Sequence, residues 1–262
     1  MPIEPARMPL FDHIGELRRR VTIIVVSVLA CAIVVYFATP TLIEIMIDPI
    51  RNAMEGAELT ITSALGGFTI RFKVAFFFGV IISTPIIIWE AMAFFLPALR
   101  EHERKWVVPT VAAMVALFFF GMIFCYFIIQ PAAFNWMLSQ TTAFANIIAD
   151  AEDYLDIMMK LEIGFGIAFQ LPLAIFYLSV LHLVPYATFR TQWRYIYVGL
   201  LTLSAIVTPD ASPVTMVLMF GALIALYEIA LAVARAVVSA RDGVEALRWT
   251  REDYEAHDLD KL

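Results

Sequence analysis

The chemistry available to this sequence lies in carboxylates set at the ends of, or inside, long apolar runs. Glu101 and Glu103 stand in a short polar stretch with Arg100, Arg104 and Lys105, between two such runs. Glu16 sits in a second basic flank, Phe11-Asp12-His13-Ile14-Gly15-Glu16-Leu17-Arg18-Arg19-Arg20, just before the first run. Two readings are open for each. The acids are a solvated flank that neutralises its basic neighbours, or they are a receptor for a cation. A guanidinium presents a planar fork of donors that a carboxylate accepts with both oxygens, so two acids suit two consecutive arginines, whereas lysine is a point charge. In the lowered dielectric of a membrane surface such contacts should exceed the roughly 0.2–1 kcal/mol of exposed pairs. Arg18, Arg19, Arg104 and Lys105 either orient the acids or attract anionic lipid.

Deeper in the apolar runs stand Glu90 and Gln170. An intramembrane carboxylate is costly and faces a bundle interior or a wet cavity. Both lie at comparable depth, about 12–15 Å from the same face, and are expected to line one polar recess. The alternative is a local hydrogen bond at a helix interface. Glu228 is expected to pair with Arg235 or Arg194, and Lys160 and Glu162 to reach water at the outer interface. No Ser-His pair, Asp dyad, phosphate loop or histidine cluster lies on the apolar runs, so no catalytic group, cofactor or metal is expected.

The elements that position these groups are membrane spans. With 61% hydrophobic residues and a mean hydropathy of +0.82, the chain is an integral membrane protein. A net charge of −6 argues against nucleic acid as a partner. Cys31 and Cys125 lie in apolar runs and imply no disulfide framework. The hydrophobic pattern predicts an all-α protein with six spans, approximately 21–38, 74–98, 106–129, 157–180, 195–207 and 214–235, within a membrane domain 1–238, followed by a polar cytoplasmic tail 239–262. The first span is retained rather than cleaved as a signal. Asp12 is expected to cap the first helix, Pro85 to kink the second span and Pro109 to sit in the first turn of the third. Residues 39–73 read as an ordered outer loop with short helices.

The last two spans are short, each holding 13 uninterrupted apolar residues, or roughly 20 Å against a hydrocarbon core of about 30 Å. Lys and Arg fix the orientation. Four precede the first span, three lie between the second and third, two between the fourth and fifth and five from Arg235 to the end, against three in the loop after the first span. Both termini are therefore cytoplasmic.

Five short motifs, in order on this layout, carry a family resemblance. They are His13-Ile14-Gly15-Glu16-Leu17-Arg18-Arg19-Arg20, Phe94-Phe95-Leu96-Pro97-Ala98-Leu99 leading to His102-Glu103-Arg104, Phe165-Gly166-Ile167-Ala168-Phe169-Gln170-Leu171-Pro172, Thr208-Pro209-Asp210, and Tyr227-Glu228-Ile229-Ala230. Over nearly its whole length the chain resembles the TatC family, the multi-spanning receptor subunit of the twin-arginine protein translocase. The resemblance implies a concave, glove-like bundle in the cytoplasmic (inner) membrane of a bacterium or archaeon. It implies binding of the Arg-Arg signal peptides of folded cargo through Glu16 and Glu103, with Arg18, Phe94 and Pro97 alongside. It further implies single-span TatA/TatB-like partners, self-association and use of the protonmotive force. Thr208, Asp210 and Glu228 are its candidates for partner contact or structure.

The sequence departs from the family at two places. The family usually has a carboxylate where Gln170 stands and commonly a glutamine where Glu90 stands, so the two are exchanged. Ser212, Pro213 and Thr215 also replace the commoner continuation after Asp210. The rival reading is a secondary solute or proton carrier with Glu90 as its coupling carboxylate; it would favour inverted repeats, and none is visible.

Overall fold

The computed structural model of the chain describes residues 10–50, 58–95, 107–141, 148–180, 184–208, 212–249 and 253. They are nearly all helical: α1 (Leu10–Tyr36), α2 (Thr39–Ile47), α3 (Gly66–Phe95), α4 (Val107–Phe124), a π turn (Cys125–Ile129), α5 (Gln130–Thr141), α6 (Ala151–Ala168), α7 (Leu171–Val180), α8 (Tyr186–Thr191), α9 (Trp193–Val207) and α10 (Pro213–Asp242). Two three-residue strands, β1 (Glu58–Thr60) and β2 (Ile148–Asp150), pair with each other. Among the described residues, five helical stretches are long and apolar enough to cross a membrane: Ile14–Tyr36, Gly66–Phe94, Val107–Gln140, Ala151–Ser179 and Pro213–Ala240. Trp193–Val207 is apolar but shorter.

The helices outrun the apolar stretches that nucleate them, because adding a residue to a formed helix costs far less than starting one. Asp12 is accordingly not a cap: it lies inside α1. Pro109 falls in the first turn of α4 as expected, where its missing N–H costs nothing. Helix α3 opens at Gly66, inside the stretch 39–73 read as an outer loop, and carries Arg71 and Lys73 within it. Both bases are engaged. Arg71 Nε donates to Thr39 Oγ1 at 3.0 Å and its guanidinium lies 5.0 Å from the Tyr36 ring, while Lys73 Nζ pairs with Glu152 at 2.8 Å.

The chain divides into two compact units. The first holds α1, α2, α3, the start of α4 and the first residues of α6. Its centre is the antiparallel packing of α1 on α3, whose register is set by Arg20 opposite Glu90, Ala32 opposite Gly79 and Thr39 opposite Arg71. A Cβ at Gly79 would come within 2.9 Å of the Ala32 backbone nitrogen, so only glycine permits this approach.

In the second unit, Phe165, Phe169, Met219, Leu223 and Tyr227 form a buried core with Cys125 and Ile129. Gly121 lets the chain of α4 approach α6, since a Cβ there would lie 2.9 Å from the Phe165 carbonyl oxygen. The α6–α7 join is a break made by Pro172 and repaired by Gln170. The Gln170 N–H turns to the Ile167 carbonyl at 2.9 Å, and its side-chain amide donates to the Gly166 carbonyl at 3.3 Å. Helix α10 starts on Ser212, whose Oγ accepts from the N–H groups of Val214 (3.2 Å) and Thr215 (3.4 Å), with Pro213 in the first helical position. Thr215 Oγ1 donates to the Ser212 carbonyl at 2.9 Å. The residues that depart from the family pattern thus build a helix N-terminus.

Candidate functional site

Glu16 and Arg20 are four apart on α1 with the acid first, the favourable order for a helix pair. Arg20 Nε donates to Glu16 Oε1 at 3.2 Å, and Arg20 Nη2 donates to the same oxygen. The other side of the guanidinium reaches across to α3, where Nη1 donates to Glu90 Oε2 at 3.0 Å. One guanidinium therefore bridges two carboxylates, with side-chain exposures of 20% for Arg20, 23% for Glu16 and 14% for Glu90. Both facing donors converge on a single oxygen of Glu16. The other, Oε2, is buried and has no hydrogen-bond partner among the described residues.

The array carries one positive and two negative charges. It sits where α1 enters its apolar run and one turn before Phe94, which is half-buried on the same side of α3 as Glu90. Arg18 and Arg19 are exposed; Arg18, two residues on from Glu16, lies on another face of α1, whereas Arg19, three on, lies beside Glu16. Arg18 offers its carbonyl to Thr22 Oγ1 at 2.8 Å. Glu103, Pro97 and Asp210 lie outside the described residues. Glu90 and Gln170, read as sharing one recess, belong to different units; each has its own partner, Arg20 for Glu90 and the Gly166 carbonyl for Gln170.

The remaining candidates have local roles. Thr208 closes α9, with its N–H (3.1 Å) and its hydroxyl (2.9 Å) both donating to the Ser204 carbonyl. Glu228 pairs with neither Arg235 nor Arg194. It accepts from Arg190 Nη1 at 2.8 and 3.1 Å and from the Tyr197 hydroxyl at 2.9 Å, tying α10 to α8 and α9. The neighbouring Tyr227 hydroxyl donates to the Phe189 carbonyl at 2.9 Å, so Arg190 is delivered by its own helix. Lys160 is exposed, but Glu162 does not reach water: it is 5% exposed and accepts from Gln130 Nε2 at 2.8 Å. Besides the partners of Glu228, two more were missed in the sequence, Arg20 and Gln130. The spacing of Glu16 and Arg20 could have revealed the first; nothing local announces Gln130.

Residues 12–221 match the family model described as Sec-independent protein translocase protein (TatC). The chain belongs to the TatC family. It is similar to the Sec-independent protein translocase protein TatC of Deinococcus radiodurans, 29% identical over 238 residues that cover 89% of this chain and 88% of the relative. To TatC of Aquifex aeolicus it is 30% identical over 226 residues, 86% of this chain and 93% of the relative. A crystal structure of the twin-arginine translocase receptor TatC superposes with a TM-score of 0.74 at 28% identity, covering 86% of this chain and 99% of that one. As a TatC-family member the chain is a component of the Sec-independent, twin-arginine translocase: a membrane transport protein rather than a catalyst.

Proposed function

We propose that this chain is the receptor subunit of a twin-arginine translocase, and that Glu16, with Glu103, accepts the paired arginines of a signal peptide at the cytoplasmic face. The observation that carries this reading is the Glu16–Arg20–Glu90 array. A guanidinium from the chain itself already lies against Glu16, and among the described residues the second oxygen of that carboxylate has no donor. A carboxylate held in that way is matched to guanidinium geometry, and lysine could not reproduce the fork. Arg18, Phe94 and Pro97 flank the bound peptide. Glu90 serves by holding Arg20, which weakens the carrier alternative, since a coupling carboxylate has to be free to load and unload its ion.

In this reading six spans leave both termini in the cytoplasm of a bacterial or archaeal cell. Trp193–Val207 is the short fifth span, and the pair it forms with α10 thins the bilayer beside it. Single-span TatA/TatB-like subunits, and further copies of this chain, dock on the apolar helix faces, and the protonmotive force drives passage of folded cargo. The test is export of a fusion bearing an Arg-Arg signal in cells lacking their own receptor, with a Lys-Lys signal alongside. The expected outcome is export of the first and little of the second. Equal export of both, or none from a chain that is inserted with its partners present, contradicts the proposal.

A further inference from the structure

A second carboxylate lies in the other unit and is handled differently. Glu162 is on α6, eleven residues after Ala151 and inside the apolar stretch Ala151–Ser179, and it is 5% exposed. Among the described residues it has no ion pair: its polar contact is the 2.8 Å hydrogen bond that it accepts from Gln130 Nε2. Lys160, two residues earlier and so on the far side of α6, is exposed. Asp156 is not its partner either. Residues 125–141 carry no ionised group, with Cys125 and Tyr126 as their titratable side chains. On α9 and α10, Glu228 is taken by Arg190 and Tyr197, and Tyr227 by the Phe189 carbonyl.

Gln130 is delivered to this place by the π turn. Its backbone N–H reaches back five residues to the Cys125 carbonyl instead of four. The extra residue rotates everything after it by about 100° relative to a continuous α-helix. An uninterrupted helix would aim Gln130 elsewhere. As built, Gln130 is fully buried, and among the described residues its Oε1 has no hydrogen-bond partner while its Nε2 is engaged. Glu162 is 5% exposed and the neighbouring chain positions Ile129, Leu161 and Phe165 are 0% exposed, so little water reaches the pair. A carboxylate here would be an uncompensated buried charge, and the amide oxygen beside it an unmatched acceptor. One added hydrogen resolves both.

We propose that Glu162 and Gln130 form a proton-binding site. Glu162 carries its proton as the neutral acid and donates it to Gln130 Oε1 while accepting from Gln130 Nε2, a reciprocal acid–amide pair. The proton and the closed packing favour one another, so a movement that admits water between the π turn and α6 releases the proton, and reclosure takes it back. This makes the pair a proton-linked contact independent of the signal-peptide site.

Infrared spectroscopy of the full chain in lipid nanodiscs tests it, comparing wild type, E162Q and Q130L. The expected result is a carbonyl band of a protonated carboxyl that exchanges slowly in deuterated water, is missing from E162Q, and moves to the higher frequency of an unbonded acid in Q130L. Identical wild-type and E162Q spectra in that region would overturn the proposal, since Glu162 would then be ionised. If E162Q does not accumulate, Q130L decides: a shifted band supports the site and an unmoved spectrum overturns it.

Discussion

The two units solve one problem in opposite ways. Each must bury a glutamate near or within an apolar run. In the first, Glu90 keeps its charge company with Arg20, which also holds Glu16; in the second, Glu162 is matched to an amide and no cation. A charged array leaves donors and acceptors that another ion can join, as Glu16 Oε2 illustrates, having no partner among the described residues. A neutral pair closes on itself. Under the two proposals, recognition of a charged ligand falls to the first unit and response to a proton to the second.

Substitutions that break one arrangement should therefore leave the other intact. The largest effect is expected from R20Q, which strands two mostly buried carboxylates. Because the array is partly exposed, the loss should fall somewhat below the values for fully buried pairs, at about 2–3 kcal/mol, read as a lowered melting temperature in detergent. Q130L should come next, at about 1–2 kcal/mol, by removing the partner of a buried polar group. E90Q retains an acceptor for Arg20 and loses only the charge, so about 1 kcal/mol is expected by the same melt. E162Q should shift stability by less than about 0.5 kcal/mol, since an amide replaces a neutral acid as donor to Gln130. A loss in E162Q as large as that in E90Q would erase the distinction between the units.

Outside the apolar stretches a third carboxylate gives the smallest effect. The Thr62 hydroxyl, followed by the Glu152 N–H, holds Asp150 below its ordinary value of 3.8. A depressed folded value stabilises above the ordinary one, and that contribution disappears as pH falls through the lower folded value. D150N should accordingly flatten the acid limb of a melting-temperature profile while leaving neutral pH nearly unchanged.

The apolar runs and the basic flanks were legible because a bilayer punishes charge and rewards length, and both are written directly in residue type. Helix ends were not. The reading that placed Glu162 at the outer interface took its helix to begin near residue 157; α6 begins at Ala151, which carries Glu162 about 16 Å along the helix from its start. The π turn that aims Gln130 leaves no signature in an unbroken apolar run. Half of the Arg20 bridge was readable, as an i,i+4 pair on α1. The other half depends on the register of α1 against α3, set by the Gly79–Ala32 approach, and spacing along one helix cannot supply that. The Glu228 contact was missed for the same reason, since Arg190 is brought to it by packing of separate helices.

The most direct measurement is binding of a fluorescent signal peptide to the full chain in nanodiscs, with Arg-Arg and Lys-Lys versions compared on wild type and E16Q. The account predicts that wild type prefers Arg-Arg by at least about tenfold, or ~1.4 kcal/mol, and that E16Q brings the two peptides to parity. The same preference in both proteins would show that the carboxylate of Glu16 does not receive the arginine pair.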